Sequence, residues 1–213
     1  MNSLVDMHRV KRLLCLGAHP DDIELGAGGT VMRLIEQNPG LRIRWVVFCG
    51  SDPVRAEEAR ASAAIFTAGA GQVQVEVHGF RDAFLPWQGE PVKNLFETLK
   101  RDFVPDLILT HCDDDRHQDH RLLSQLTWNT WRDQQILEYE ILKWDGDLGR
   151  PNLYVALDEL LCRRKVRQAL DAFPSQRSRH WFTEDALLAL MRIRGVECSS
   201  GFAEAFYARK MIW

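Results

Sequence analysis

The sequence predicts an α/β fold: a Rossmann-like, mainly parallel sheet with helices on both faces. Two observations carry this. Apolar runs of strand length alternate with helical segments as β-α-β-α-β-α-β-α up to about Thr130, an order that favours parallel strands covered on both sides. Polar turns rich in histidine and carboxylates follow two of those strands, where ligands bind in open α/β sheets.

Taken in order, Leu13–Gly17 is the first strand, and a helix spans about Ala27 to Gln37. Arg42–Cys49, rich in Val, Ile, Trp and Phe, is the second strand. Ser51-Asp52-Pro53 then supplies a cap and a proline for a helix from Val54 to about Thr67, ending before Gly69. Val73, Val75 and Val77 alternate with polar residues in a half-buried strand. Pro91 opens a helix to about Phe103, Leu107–Thr110 is a strand, and a polar loop leads into a helix from Gln118 or His120 to about Thr130. After Gln135 the alternation lapses. Ile136–Ile141, Leu153–Leu157 and Ala205–Ile212 are strand material, while Asp158–Phe173 and Thr183–Arg194 are helical, with Thr183 as an N-cap. No repeat or linker divides the chain, so residues 1–213 read as one domain with a C-terminal extension of the sheet.

Bulk properties narrow the function. The chain is 46% hydrophobic and 27% charged with a net charge of −3, which suits a globular domain and gives no nucleic-acid footprint. No apolar run approaches the ~20 residues of a membrane span, and the mixed, polar Met1–Arg12 lacks a signal-peptide core. The five scattered cysteines suit free thiols in a reducing, cytoplasmic setting.

The chemistry sits in two clusters. Ala18-His19-Pro20-Asp21-Asp22-Ile23-Glu24 occupies the turn after the first strand, and His111-Cys112-Asp113-Asp114-Asp115-Arg116-His117-Gln118-Asp119-His120-Arg121 follows the strand ending at Thr110. Parallel strands would bring both to one sheet edge, and four of the seven histidines lie in them. A metal with an adjacent general base is the natural reading. An Asx turn with helix capping would account for Asp21 and Asp22 but not for His19. The glycines Gly26, Gly28 and Gly29 lack G-x-G-x-x-G spacing and any G-K-[ST], which argues against a dinucleotide or phosphate loop; they read as sites of close helix packing.

Together the two clusters resemble the PIG-L/LmbE-like family of zinc-dependent N-deacetylases. Arg55-x-x-Glu58 and Ala203-Glu204-Ala205-Phe206-Tyr207 are similar to further family features. The resemblance implies Zn2+ held by His19, Asp22 and His120, with an open position for water. It implies Asp21 as general base, His117 as oxyanion stabiliser, and Asp119 as the residue that orients or charges His117. Asp115 and Arg121 would support these from behind. Arg55, Arg81 and Asp82 are candidate substrate-binding residues, against the blander readings of a surface ion pair and a structural turn. His111 and Cys112 lie outside the family pattern and read as strand-end structure. The basic run Arg163-Arg164-Lys165-x-Arg167 reads as the solvated face of a helix.

The expected reaction is hydrolysis of an N-acetyl group from an N-acetylglucosamine-type amino sugar. The alternatives are an amidase for a thiol conjugate or other non-sugar amide, and a noncatalytic sugar- or metal-binding module. The expected partner is a small-molecule substrate, without nucleic acid, and the family implies a homo-oligomer.

Overall fold

The computed structural model describes residues 9–211. A seven-stranded sheet runs in the order β3-β2-β1-β4-β5-β7-β6, with β1 Arg12–Gly17, β2 Arg42–Val47, β3 Gln72–Val77, β4 Leu107–His111, β5 Gln135–Tyr139, β6 Leu153–Leu157 and β7 Phe202–Tyr207. Strands β1 to β5 pair in parallel, and β7 joins β5 and β6 antiparallel. The expected architecture is therefore the observed one. Its final strand begins earlier than the sequence suggests, because Phe202 pairs with Leu157; Ile212, expected to end that strand, lies outside the described residues.

Strand periodicity builds two cores. Leu13 and Cys15 of β1 join Ile43, Trp45 and Leu109 on one face. There they pack against α1 (Asp22–Gln37), α2 (Pro53–Phe66), α5 (Glu159–Ala172) and α6 (Glu184–Glu197). Leu14 and Leu16 point the other way, with Val46 and Ile108, into α3 (Gly89–Asp102) and α4 (Gln118–Thr130). Alternation along the central strands thus feeds two helical layers, which is why β1 and β4 read as nearly continuous apolar runs. Among the described residues no helix is long and apolar enough to cross a membrane.

Helix α1 begins at Asp22, five residues before the predicted Ala27. The glycine run obscures its start, since glycine is a poor helix former. A Cβ on Gly28 would come within 2.6 Å of the Phe66 ring, and one on Gly29 within 2.6 Å of Leu157. These glycines are packing residues that let α1 lie close to α2 and β6.

The same helix is clamped from β7. Glu204 accepts the N–H groups of Gly29 and Thr30 at 2.8 and 2.6 Å, and Lys165 Nζ lies 2.6 Å from Glu204 and donates to Leu25 O at 2.7 Å. Lys165 is buried, which corrects the reading of its basic run as a wholly solvated face. The buried ammonium and carboxylate thus neutralise each other while both hold the backbone of α1.

The strand order reverses its direction of growth at β1, which has β2 on one side and β4 on the other. The crevice beyond the carboxyl ends of β1 and β4 is the topological switch point, and both histidine clusters open into it.

Candidate active site

The turn from β1 into α1 carries His19, Asp21 and Asp22. Asp21 has φ 96°, a left-handed conformation uncommon for a residue with a side chain. Such strain persists only where the surroundings impose it. Here Arg55 holds the turn from outside, through Asp21 Oδ2 at 3.1 Å and the carbonyl of Pro20. Asp22 Oδ2 accepts the His19 N–H at 2.7 Å, which closes the turn. From the other side of the crevice, the first turn of α4 presents His117, Asp119 and His120.

Three atoms converge between them. His19 Nδ1 lies 3.1 Å from His120 Nε2, and Asp22 Oδ2 lies 3.4 Å from each. The proton inventory of the two rings is set by their far sides. His120 Nδ1 bonds to Asp115 Oδ2 at 2.8 Å, which puts the His120 hydrogen on that nitrogen and leaves Nε2 a lone pair. His19 Nε2 lies 3.0 Å from Asp82 Oδ1 and 3.2 Å from Asp119 Oδ2, which likewise leaves Nδ1 a lone pair. Three atoms able to offer lone pairs to a cation that displaces the imidazole protons therefore face one another. Tetrahedral zinc with bonds of about 2.0–2.1 Å needs ligand atoms about 3.3 Å apart, so the triangle has the right size for such a cation. The charges agree. Burial opposes protonation of His19 and His120, yet the carboxylates of Asp119, Asp22 and Asp115 outweigh it and hold both imidazoles above their ordinary range. Asp22 is held well below the usual carboxylate range, its burial overcome chiefly by His120. The centre favours positive charge.

Asp21 stands beside the triangle and outside it. Its Oδ2 lies 3.1 Å from Arg55 Nη2, and the same guanidinium donates to Pro20 O. Burial pushes the Asp21 carboxyl up to about 7, against the pull of Arg55. Arg55 also meets Glu58, whose carboxylate accepts Ser175 N–H at 2.9 Å and Ser175 Oγ at 2.6 Å. The pair expected at a helix surface is in fact a partly buried bridge from α2 to Asp21 and to the turn after α5.

The sequence profile of the PIG-L family, GlcNAc-PI de-N-acetylase, matches residues 14–131, just over half of the chain and all of both clusters. This chain belongs to the PIG-L family. An uncharacterized deacetylase of Escherichia coli (strain K12), YaiS, is 33% identical over 149 residues, covering 64% of this chain and 77% of that protein. The N,N'-diacetylchitobiose deacetylase from Pyrococcus horikoshii superposes with a TM-score of 0.74 at 21% identity, covering 93% of this chain and 83% of that one. The 4-carboxy-2-hydroxymuconate hydratase GalB from Pseudomonas putida KT2440 superposes at 0.70 with 18% identity, over 95% of this chain and 98% of that one. At those identities the two structures show the fold alone, and the fold hosts more than one chemistry.

The other expected site residues surround the same crevice. Asp115 Oδ1 accepts the His117 N–H at 2.7 Å, and its Oδ2 meets both His120 and, at 3.1 Å, Lys143 Nζ. Arg121 donates to Asp115 O at 3.0 Å and to Arg116 O. Asp119 differs in detail. Its carboxylate bonds His19 Nε2 and accepts Leu85 N–H at 3.0 Å, and His117 is met through the Asp119 backbone N–H, 3.3 Å from His117 Nδ1. Asp82 also lies against His19, and Arg81 stacks its guanidinium over the Phe84 ring at 3.6 Å.

Two residues gained importance only from the structure. His111, read as strand-end structure, lies 3.2 Å from Asp22 Oδ2 and accepts Ala18 N–H at 2.9 Å. Burial and the nearby His120 push it down to about 4, so it is neutral. Its position in register with Tyr139, whose hydroxyl donates to Leu16 O at 2.6 Å, ties the ends of β1, β4 and β5 together. Lys143 balances the charge of Asp115 and is itself bonded at 2.5 Å to Asp147, which caps Arg116 N–H at 2.8 Å. A histidine at the carboxyl end of a central strand was the available signal for the first; the second had none.

Proposed function

We propose that this protein is a metal-dependent N-deacetylase that removes an acetyl group from an N-acetylated amino sugar. The observation that carries the reading is the triangle of His19 Nδ1, Asp22 Oδ2 and His120 Nε2 with a second carboxylate, Asp21, held just outside it. The three donors fit a divalent cation in size, charge and donor type, and zinc is the metal best suited to two imidazoles and one carboxylate with an open position. Such an ion supplies Lewis acidity, lowering the pKa of water toward ~7 and polarising the amide carbonyl.

The chain's own groups do the rest. Asp21 takes the proton from the attacking water and returns it to the departing nitrogen, a role suited to a carboxyl raised to about 7. Arg55 holds that carboxylate in place. His117 caps α4, and its Nδ1 accepts Asp119 N–H at 3.3 Å, so the neutral ring carries its hydrogen on Nε2. Burial and the neighbouring His120 and His19 keep His117 low, hence neutral, and able to donate to the oxyanion. Asp115 and Asp119 fix the tautomers of His120 and His19. The exposed loop of Arg81, Phe84 and Trp87 borders the same crevice, and Trp87 offers an aromatic face for a sugar ring.

The family assignment and the deacetylase names of its relatives support an acetylated substrate. The test is a panel of N-acetylglucosamine, N,N'-diacetylchitobiose and an N-acetylated thiol conjugate, incubated with zinc-loaded protein. Equal amounts of acetate and free amine from the sugars are expected. Metal-loaded, folded protein that releases amine from none of them would overturn the proposal.

A further inference from the structure

His19 has two faces, and only one belongs to the triangle. Its Nε2 opens on a second group of donors drawn from three other parts of the fold. Asp119 Oδ2, from the first turn of α4, is 3.2 Å away. Cys49 Sγ, just past the end of β2, lies 3.8 Å from the same Asp119 oxygen. Asp82 Oδ1, on the loop after β3, is 3.0 Å from Nε2. The donor atoms of His19, Cys49 and Asp119 all lie within 4.8 Å of one another. Cys49 and Asp119 are buried, whereas the Asp82 side chain is 71% exposed, so the group has a floor of sulfur and oxygen and an open side toward solvent.

We propose that Cys49, Asp119 and His19 Nε2, with Asp82 at the mouth, form a second, inhibitory site for a thiophilic divalent cation. The donor set is softer than the first by one thiolate, which selects zinc or cadmium over magnesium or calcium. Binding releases the Cys49 thiol proton and the His19 Nε2 proton to solvent. It also pulls Asp119 from His19, so the bond that fixes the ligand tautomer of His19 is lost. Two cations sharing one imidazole repel each other, which makes the second ion the weaker-bound of the two. The inhibitory consequence rests on His19 serving the catalytic triangle; the coordination itself does not.

Cadmium is the probe, because a cadmium–thiolate bond gives an ultraviolet charge-transfer band independent of turnover. Protein loaded with one equivalent of zinc is titrated with cadmium while absorbance and deacetylation are followed together. A band that saturates at one further equivalent, with activity falling in parallel, is expected. Cys49→Ser should abolish the band, keep turnover with one equivalent of zinc, and move inhibition to about tenfold higher cadmium or beyond. Cys112→Ser should retain the band. Asp82→Asn alters an exposed side chain, so it answers the question even where Cys49→Ser loses its fold; it should raise the cadmium midpoint. The proposal is overturned if no band forms in the wild type, if the band survives Cys49→Ser, or if Asp82→Asn leaves the midpoint unmoved. A band without any deacetylase activity would leave the site standing and remove the proposed function instead.

Discussion

Replacing Asp115 by asparagine tests the metal-site reading at a residue outside the proposed triangle. The carboxylate has two tasks at once: Oδ1 accepts the His117 N–H at 2.7 Å and Oδ2 accepts the His120 Nδ1–H at 2.8 Å. An asparagine has one acceptor oxygen. If that oxygen stays with His120, the amide NH2 faces the His117 N–H, donor against donor. If it stays with His117, the NH2 faces His120 Nδ1, and the ring answers by moving its hydrogen to Nε2, the atom that lies 3.4 Å from Asp22. Either a buried donor is left unpaired or a ligand lone pair is lost. Removing such support for a ligating histidine costs about 10–100-fold in metal affinity, or about 1.4–2.7 kcal/mol. Lys143 retains Asp147 at 2.5 Å, so the substitution does not leave its ammonium alone. The assay is competition for zinc against a chromophoric chelator, with thermal unfolding in chelator as a separate measure of the fold. A folded variant that binds zinc within about twofold of wild type would refute the tautomer argument.

Three further outcomes follow from the same structure. Asp21→Ala should retain zinc while turnover falls by about 10²–10⁴-fold; retained metal with full activity would remove Asp21 from proton transfer. Lys165→Met strands the buried Glu204 carboxylate on two N–H groups and should destabilise the protein by about 3–5 kcal/mol in urea unfolding, with a loss below about 1 kcal/mol counting against the clamp. Glu76 is held down to about 2, against an ordinary 4.5, by its bonds to His78 and, at 2.6 Å, Arg44. Its folded form therefore gains stability above pH ~4.5 that is lost as pH falls through about 2. The stability difference between wild type and Glu76→Gln should shrink over that interval, and a difference independent of pH would exclude this linkage.

Much of the fold was legible because the parallel core is written in local patterns. Leu13–Gly17 and Leu107–Thr110 are apolar runs followed by polar turns, Arg42–Val47 is rich in β-branched and aromatic residues, and Asp52, Asp158 and Thr183 each cap the helix they precede. The boundaries that moved did so for tertiary reasons. The start of α1 is set by the fit of Gly28 and Gly29 against Phe66 and Leu157, and the start of β7 by its register with β6. The same divide runs through the site. His19, Asp21, Asp22, Asp115, His117, Asp119 and His120 stood out because two compact clusters hold them. Which carboxylate meets which ring was not legible. The Asp119–His19 contact spans 100 residues, and the Arg55–Asp21 contact spans 34. Lys165 shows the limit most plainly, since a lysine amid arginines gives no local sign that its ammonium is inside the protein.

The sharpest argument for division of labour lies in two adjacent residues of one chemical type. Asp21 and Asp22 are both buried, yet their carboxyls are driven apart: Asp21 is raised to about 7 by burial, while His120 chiefly overcomes the same burial to hold Asp22 well below the ordinary range. The left-handed backbone at Asp21 is what turns these neighbours toward different surroundings, one to Arg55 and the other to the imidazoles. A carboxylate that stays ionised at any working pH suits a cation. One that can gain and lose a proton near neutrality suits proton transfer, and environments that separate two like groups in this way mark acid–base roles. The separation is visible in the contacts themselves: Asp21 Oδ2 meets Arg55 Nη2 at 3.1 Å, while Asp22 Oδ2 lies 3.4 Å from His19 Nδ1 and from His120 Nε2.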